Sequence, residues 1–427
     1  MTVLLLLFNA PVFANGQTTH LWISHRAMEH VENADLVGLL ETHRDHLSMG
    51  TMFPDGGYAI GHPYAETAHW EPFQDEFRDW ILATFDGPSD PLAASHIAFY
   101  LGLASHGMAD QVFDSLYMER SKVYDADMGW SDETASLDTS QDVVFAHLTS
   151  PQIPPEHDLP DILPSLFEEF GIDVDMDTLL EGQGWLDVAV EGVAGLSGVP
   201  SIVDIHTEAF PWGCSHLLDE DMPGAPPFEA RMVAKYWESL WADLHKDSKP
   251  LEIMGWWPPM GATGHPRQAD DVEARLSVIF NRSLWTDSVT SDHFGVTTPE
   301  SDHPINPHLF YRDHSHVVNI APIDDWVEDT EHRLTVDGIT ATDGREMAAP
   351  FTLDFNTGIP ESKDTADPVE PEGESPEKST DKGCAQLNAR DPSWVWVLMP
   401  LALLTRRRSL LGRPSLRSSQ GTGQIGP

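Results

Sequence analysis

The chain has 427 residues and carries 69 Asp+Glu against 24 Lys+Arg, a formal net charge of −45. That length suits two or three domains, and so acidic a surface repels phosphate backbones at long range, which excludes general nucleic-acid binding. A small anionic substrate stays admissible, because bound divalent ions reverse the sign locally.

Residues 3–14 (VLLLLFNAPVFA) form a short apolar run ending in a small-residue cleavage pattern, so 1–14 reads as an export signal although its positive n-region is missing. From Thr19 to Val31 the pattern predicts a helix, capped by Thr18 or Thr19, with Trp22, Ile23, Ala27 and Val31 on its apolar face. His20 and His25 lie five residues apart on it and do not share a face. A second helical piece is expected over Leu36–Leu47. Met52–Tyr58 (MFPDGGY) then reads as a Pro/Gly loop holding Asp55, and His69 stands just before a helix predicted over Phe73–Phe85. Taken alone, an Asp in such a loop is most often a turn residue.

The stretch Leu92–Met118 organises the chain. Ala93–Ala104 is apolar on nearly every side, as in a helix buried within a core. Into it the sequence sets His106, Asp110 and Asp114 at i, i+4 and i+8, all on one face. No Lys or Arg occurs between Arg78 and Arg120 to neutralise these carboxylates. A metal ion would do so, imidazole plus carboxylate being an ordinary zinc ligand set. The plainer alternative is a helix end whose acidic residues face water.

Beyond a loop at 150–160, helices are expected over Asp161–Phe170 and Met176–Leu180, and a clear amphipathic helix over Phe228–Lys246 with Met232, Tyr236, Trp237, Leu240 and Leu244 on one side. His206, His216 and His245 recur with no partner spacing and are read as non-ligands. The two cysteines, Cys214 and Cys384, define no disulfide framework. Texture changes at Gly255-Trp256-Trp257-Pro258-Pro259. From there to Gly358 strands are predicted at Leu276–Phe280, His316–Ile320, His332–Val336 and Phe351–Phe355.

The segments HLWISHRA (20–27), MGTMFPDGGY (49–58), ETAHWEPF (66–73) and AFYLGLASHGMADQ (98–111) together resemble the zinc-dependent phospholipase C family, and within it the catalytic domain of the glycosylphosphatidylinositol-specific phospholipases D. The resemblance covers roughly residues 18 to 150 and extends toward 250 as helical remainder. It implies a mainly α catalytic domain that holds two to three zinc ions. Position by position it assigns His20, Asp55, His69, His106 and Asp110 as ligands, with Asp110 shared between two ions and Asp55 also the general base. His25 matches no ligand. Where the family carries a histidine one turn after the shared Asp, this chain has Asp114, and the family's later imidazole and carboxylate correspond to Asp138 and Asp142. One position would then be all-carboxylate, which favours magnesium, manganese or calcium there.

The closing phrase HRLTVDGITATDGREMAAPFTLDFNTG (332–358) resembles bacterial surface-layer Ig-like modules, and Gly383-Cys384, an apolar run (Trp394–Thr405) and Arg406–Arg408 resemble a C-terminal surface-sorting tail. The expected organisation is a signal peptide (1–14), a phospholipase C-like helical domain (15–250), an all-β Ig-like sandwich (251–358), a disordered acidic, Pro-rich linker (359–383), a hydrophobic anchor (384–408) and a basic tail (409–427). The function implied is metal-dependent hydrolysis of a phosphodiester in phospholipid or glycolipid, C-type, or D-type on glycosylphosphatidylinositol. Divalent ions would stabilise the charge on the transition state and make hydroxide available near neutrality. The alternatives are a degenerate surface binding protein with structural metals, and a single-strand nuclease-like phosphodiesterase. An exported bacterial cell-surface monomer acting at a membrane surface is expected, without nucleic-acid partners.

Overall fold

The computed structural model describes residues 16–125, 134–153 and 155–358. The expected signal peptide, linker, anchor and basic tail lie outside the described residues. What is described has the expected class, a mainly helical region followed by an antiparallel β-sandwich of Ig-like type.

The helices run α1 (Gln17–Ala27), α2 (Ala34–Thr42), α3 (Arg44–Met52), α4 (Asp55–Ile60), α5 (Tyr64–Ala68), α6 (Glu71–Thr84) and α7 (Ala94–Val112), which continues into a π-helical turn over Phe113–Met118. They resume as α8 (Glu119–Tyr124), α9 (Thr134–Thr149), α10 (Leu163–Glu169), α11 (Met176–Ser197), α12 (Pro200–Ala209), α13 (Pro211–Ser215) and α14 (Pro226–Leu244). Helix α7 is the axis of the fold, buried at every position from Ile97 to Val112, in keeping with a sequence that is apolar all round. The expected amphipathic helix is α14. It opens on two prolines, which suit the first helical positions because their missing N–H has no intrahelical partner there. Its Trp237 lies in the core and donates Nε1–H to the Leu101 carbonyl of α7 at 2.7 Å.

Several expectations are corrected. The piece at 36–47 is two helices, broken at His43. The MFPDGGY segment is not a loop: Asp55 opens α4, directly after Pro54. Gly56 and Gly57 act there as packing residues, since a Cβ on Gly56 would lie 2.2 Å from Gln183 Nε2 and one on Gly57 2.6 Å from the Ala65 amide. The helix expected over 176–180 runs on to Ser197, capped by Asp175, whose side chain accepts from the Thr178 amide. Helix α1 starts at Gln17, so Thr18 and Thr19 sit inside its first turn rather than capping it. Among the described residues no single helix is long and apolar enough to cross a membrane.

The sandwich comprises β1 (Ile253–Trp257), β2 (Leu276–Phe280), β3 (Phe294–Thr298), β4 (Ser301–Ile305), β5 (His308–Phe310), β6 (Val317–Ala321), β7 (Glu331–Val336) and β8 (Phe351–Asn356). The Gly255-Trp256-Trp257 stretch, read as a boundary, is itself an edge strand. One sheet has the order β1-β2-β6-β5 and the other β4-β3-β7-β8, all pairings antiparallel. Leu276, Val278, Phe280, Val318 and Ile320 of the first sheet pack on Phe294, Val296, Leu334, Val336, Leu353 and Phe355 of the second. The opposite face of the first sheet joins the helical core through Met254, Ile279 and Val317. The first sheet is therefore buried on both faces, by the helices on one side and by the second sheet on the other.

Candidate metal centre

Five of the predicted ligands meet between α1, α4, the end of α5 and α7. His106 and Asp110, one turn apart on α7, face His20 from α1, Asp55 from the first position of α4 and His69 from the residue after α5. Close approach of His69 depends on Gly107: a Cβ there would lie 2.3 Å from the His69 carbonyl oxygen. His20 Nε2 is 2.9 Å from Asp110 Oδ1, while Asp110 Oδ2 lies 3.5 Å from His69 Nε2 and 3.3 Å from His106 Nε2. Asp55 Oδ1 points between the same two imidazoles, 3.3 Å from His69 Nε2 and 3.5 Å from His106 Nε2. Asp110 thus turns one oxygen to each side of the cluster. Among the described residues two sets of donor atoms converge closely enough to hold an ion, His20–Asp55–His106 and His69–His106–Asp110; they share His106, whose single free lone pair serves one ion.

The imidazoles are oriented for metal. His69 Nδ1 is 2.6 Å from the Ala65 carbonyl and His106 Nδ1 2.7 Å from the Thr51 carbonyl. A carbonyl only accepts, so each Nδ1 carries the proton and each Nε2 presents a lone pair. Those two Nε2 atoms stand 3.0 Å apart. Lone pairs at that distance repel unless a cation or a proton lies between them. His20 stacks on His106 with ring centroids 3.9 Å apart; its Nδ1 makes no hydrogen bond, and its Nε2 meets only Asp110 Oδ1. Asp55 Oδ1 and Asp110 Oδ1 are likewise buried with only imidazole nitrogens facing them. Orphaned buried donor atoms of this kind are what a cation-binding set requires. The electrostatics agree: burial opposes a charge on His106, but Asp110 and Asp55 outweigh it and push its pKa up to about 10. Burial and His106 together lower that of His20.

The other three predicted ligands are placed differently. Asp114 sits in the π-helical turn and Asp138 on α9, and neither enters the two donor sets. Burial and the nearby Asp110 charge raise Asp114 to about 7; burial, then Asp114 and Asp110, raise Asp138 well above the carboxylate range. Asp114 Oδ1 and both oxygens of Asp138 are buried without hydrogen-bond donors. Asp142 is occupied otherwise: it accepts from the Thr18 and Thr19 amides at 3.3 and 2.8 Å and from both threonine hydroxyls. It caps α1 from a distant helix, where Gly16 leaves room for it. His25 is held by Ser48 and Gln152, away from the cluster.

Sequence reasoning passed over Gln17, whose side-chain amide donates to Asp55 Oδ2. Its position one helical turn before His20 was the available signal. The carbonyls of Thr51 and Ala65, which fix the two imidazole tautomers, left no signal at all.

Comparison with known proteins follows this division. Residues 247–357 match the family model described as Bacterial Ig-like domain. The chain is 31% identical over 130 residues to phosphatidylinositol-glycan-specific phospholipase D of Rattus norvegicus, covering 28% of this chain and 15% of the relative. With the Homo sapiens protein of that name it is 31% identical over 115 residues, 25% of this chain and 14% of the relative. The chain thus spans less than a fifth of these relatives' length. A crystal structure of the S-layer protein SbsC aligns over 77% of this chain and 46% of that one at 10% identity, with a TM-score of 0.21. A likeness so slight carries no argument.

Proposed function

We propose that the chain is an exported bacterial hydrolase of phosphodiesters in phospholipid or glycosylphosphatidylinositol, with zinc held by His20, Asp55, His69, His106 and Asp110. The observation that carries this is the pair of imidazoles, each locked by a backbone carbonyl, with Nε2 atoms 3.0 Å apart among buried carboxylates. Similarity to the phospholipase D sequences supports the substrate class. Zinc bound there supplies Lewis acidity and a water acidified toward neutral pH. The chain's own residues supply the rest. Asp110 belongs to the His69–His106 set through one oxygen and turns its other oxygen to His20. Asp55 Oδ1 faces the His69 and His106 imidazoles, while Gln17 fixes its other oxygen and so its rotamer. Asp114 and Asp138, oxygen donors without partners, would take a further, harder ion such as magnesium, manganese or calcium. The Ig-like match supports placement outside a bacterial cell.

A second reading, a surface binding protein with structural metals, is favoured by one observation: the oxygens of Asp142 already serve α1, which leaves fewer donors for a third ion. Metal content by mass spectrometry on the purified full chain, paired with head-group release from phosphatidylcholine and from a glycosylphosphatidylinositol-anchored protein, separates the two. Two or more zinc equivalents with release support the hydrolase, and zinc without release supports the binding protein. Absence of bound metal overturns both.

A further inference from the structure

The sheet β1-β2-β6-β5 does not merely lie against the helices. Its polar residues reach two segments of the helical region, each next to a ligand of the cluster. The first contact runs through Arg282 and Ser283, just past β2. Arg282 is 1% exposed and pairs with Glu71 at 3.0 Å, Asp75 at 2.8 Å, Asp343 at 3.3 Å and Asp243 at 3.7 Å. The Ser283 amide donates to Glu71 Oε2 at 2.9 Å, and its hydroxyl donates to the same oxygen. Glu71 opens α6, two residues after His69. From the same turn Gln74 donates to the His69 carbonyl at 3.2 Å, and Tyr236 donates to both Glu71 and Gln74. The second contact runs through the start of β6. The His316 amide donates to Gln111 Oε1 at 2.7 Å, and Asn319 Nδ2 donates to the Ser115 carbonyl at 2.8 Å. Gln111 follows Asp110, and Ser115 follows Asp114. Asn319 is itself oriented by the Ser277 hydroxyl of β2, 2.6 Å away.

We infer that the Ig-like module is a working part of the metal centre: Arg282 and Ser283 hold the turn that carries His69, His316 holds the end of α7 that carries Asp110, and Asn319 holds the π-helical turn that follows it. Its residues are positioning residues, acting through Glu71, Gln74, Gln111 and Ser115. A spacer would meet the helices through exposed and replaceable contacts. Here a guanidinium is buried among carboxylates, an arrangement that costs more than an apolar one and repays it in fixed geometry. Groups that hydrogen-bond a ligand directly typically set metal affinity by about 10- to 100-fold, and residues one contact further out are expected at the lower end.

The inference rests on reading the His/Asp cluster as a metal centre, and the test separates the two. Zinc affinity of the full-length chain is measured by competition with a chromophoric chelator. The absorption spectrum of the cobalt(II)-loaded protein is recorded alongside for wild type, Asn319→Ala, Ser283→Ala and, on the far sheet, Arg333→Ala. Asn319→Ala deletes the bonds with the Ser115 carbonyl and the Ser277 hydroxyl, and Ser283→Ala those of its hydroxyl with Glu71 and Thr342; both should stay folded, as circular dichroism and the melting curve will register. Modest destabilisation leaves the folded fraction near unity and cannot move the affinity of a folded protein. The expected result is zinc binding weakened about tenfold in both variants, with a shifted cobalt spectrum, and no change in Arg333→Ala. Wild-type affinity and spectrum retained in both folded variants would overturn the inference while leaving the metal centre intact. Failure of the wild-type chain to bind zinc or cobalt would overturn both.

Discussion

The outer sheet of the sandwich and the sheet that meets the helices are built alike and used differently. Along β7 exposure alternates: Glu331 and Arg333 face solvent while His332, Leu334 and Val336 are buried, and the ion pair of Arg333 with Asp354 stands in water. Strands β2 and β6 are buried at all five positions. One phase of each feeds the sandwich core, and the other meets α7 and α14. An apolar residue in both phases of an antiparallel strand therefore marks two-sided burial. The polar residues left in such strands, Ser277 and Asn319, are the ones with specific partners. The same contrast holds for arginines: Arg282 is enclosed by carboxylates, and Arg333 pairs at the surface.

The comparison is broken or sharpened most strongly at the shared helix. His106→Ala removes a donor common to both sets, so zinc should be lost and turnover should fall about 1,000-fold, as expected when several kcal/mol of metal stabilisation disappear. Far-UV circular dichroism should stay native. Full activity in the variant would remove α7 from the site. Next in size is Arg282→Met, which takes the cationic partner from the buried Glu71, while Asp243 keeps Arg345. A loss of about 3–5 kcal/mol is expected, and a melting temperature lower by about 10 °C. Arg333→Met should leave the melting temperature unchanged. Equal effects from the two arginines would show that the sheets do not differ as described.

Much of this was legible beforehand because it rests on periodicity. Helices α7 and α14 and strands β2, β6, β7 and β8 lie where their patterns place them, and the sandwich follows from the strand run. His20, Asp55, His69, His106 and Asp110, far apart in sequence, are brought together. The failures have physical causes. Gly56 and Gly57 read as chain breakers, but they are needed for close packing inside a helix. Helix α11 was cut short because Gly182 and Gly184 dilute its pattern. The spacing of Asp138 and Asp142 suggested one shared role, yet the N-terminus of α1 claims Asp142. The domain contact was illegible, since nothing around Arg282 announces that two of its partners, Glu71 and Asp75, lie some 200 residues earlier.

A smaller effect concerns pH in the metal-free protein. Burial works against protonating His106, Asp110 and Asp55 outweigh it, and its folded pKa of about 10 lies above the ordinary imidazole value. A group raised in this way stabilises the fold fully below its unfolded pKa and loses that contribution as pH rises through the folded value. Buried imidazoles lowered by desolvation, such as His25 and His316, act in the opposite sense but only below about pH 6.5. Between pH 7 and 9 the chelated protein should therefore lose about 2–3 kcal/mol. The zinc-loaded protein should not, because the metal takes the place of the proton. Melting curves with and without chelator check this, and a flat metal-free profile would contradict it.

The smallest effect tests the rim of the domain contact. Arg312, in the loop after β5, lies 4.6 Å over the Trp70 ring and 3.5 Å from Glu66, with both ion-pair partners exposed. Exposed pairs of this kind contribute under about 1 kcal/mol. Arg312→Ala should therefore move the melting temperature by no more than about 2 °C. Its zinc affinity should equal that of wild type, because an exposed pair is loosely held in water and fixes no backbone next to a ligand. A tenfold loss of zinc affinity in this variant would mean that the module acts on the cluster through its surface as well, and the distinction between buried and exposed contacts would no longer decide which of them matter to the site.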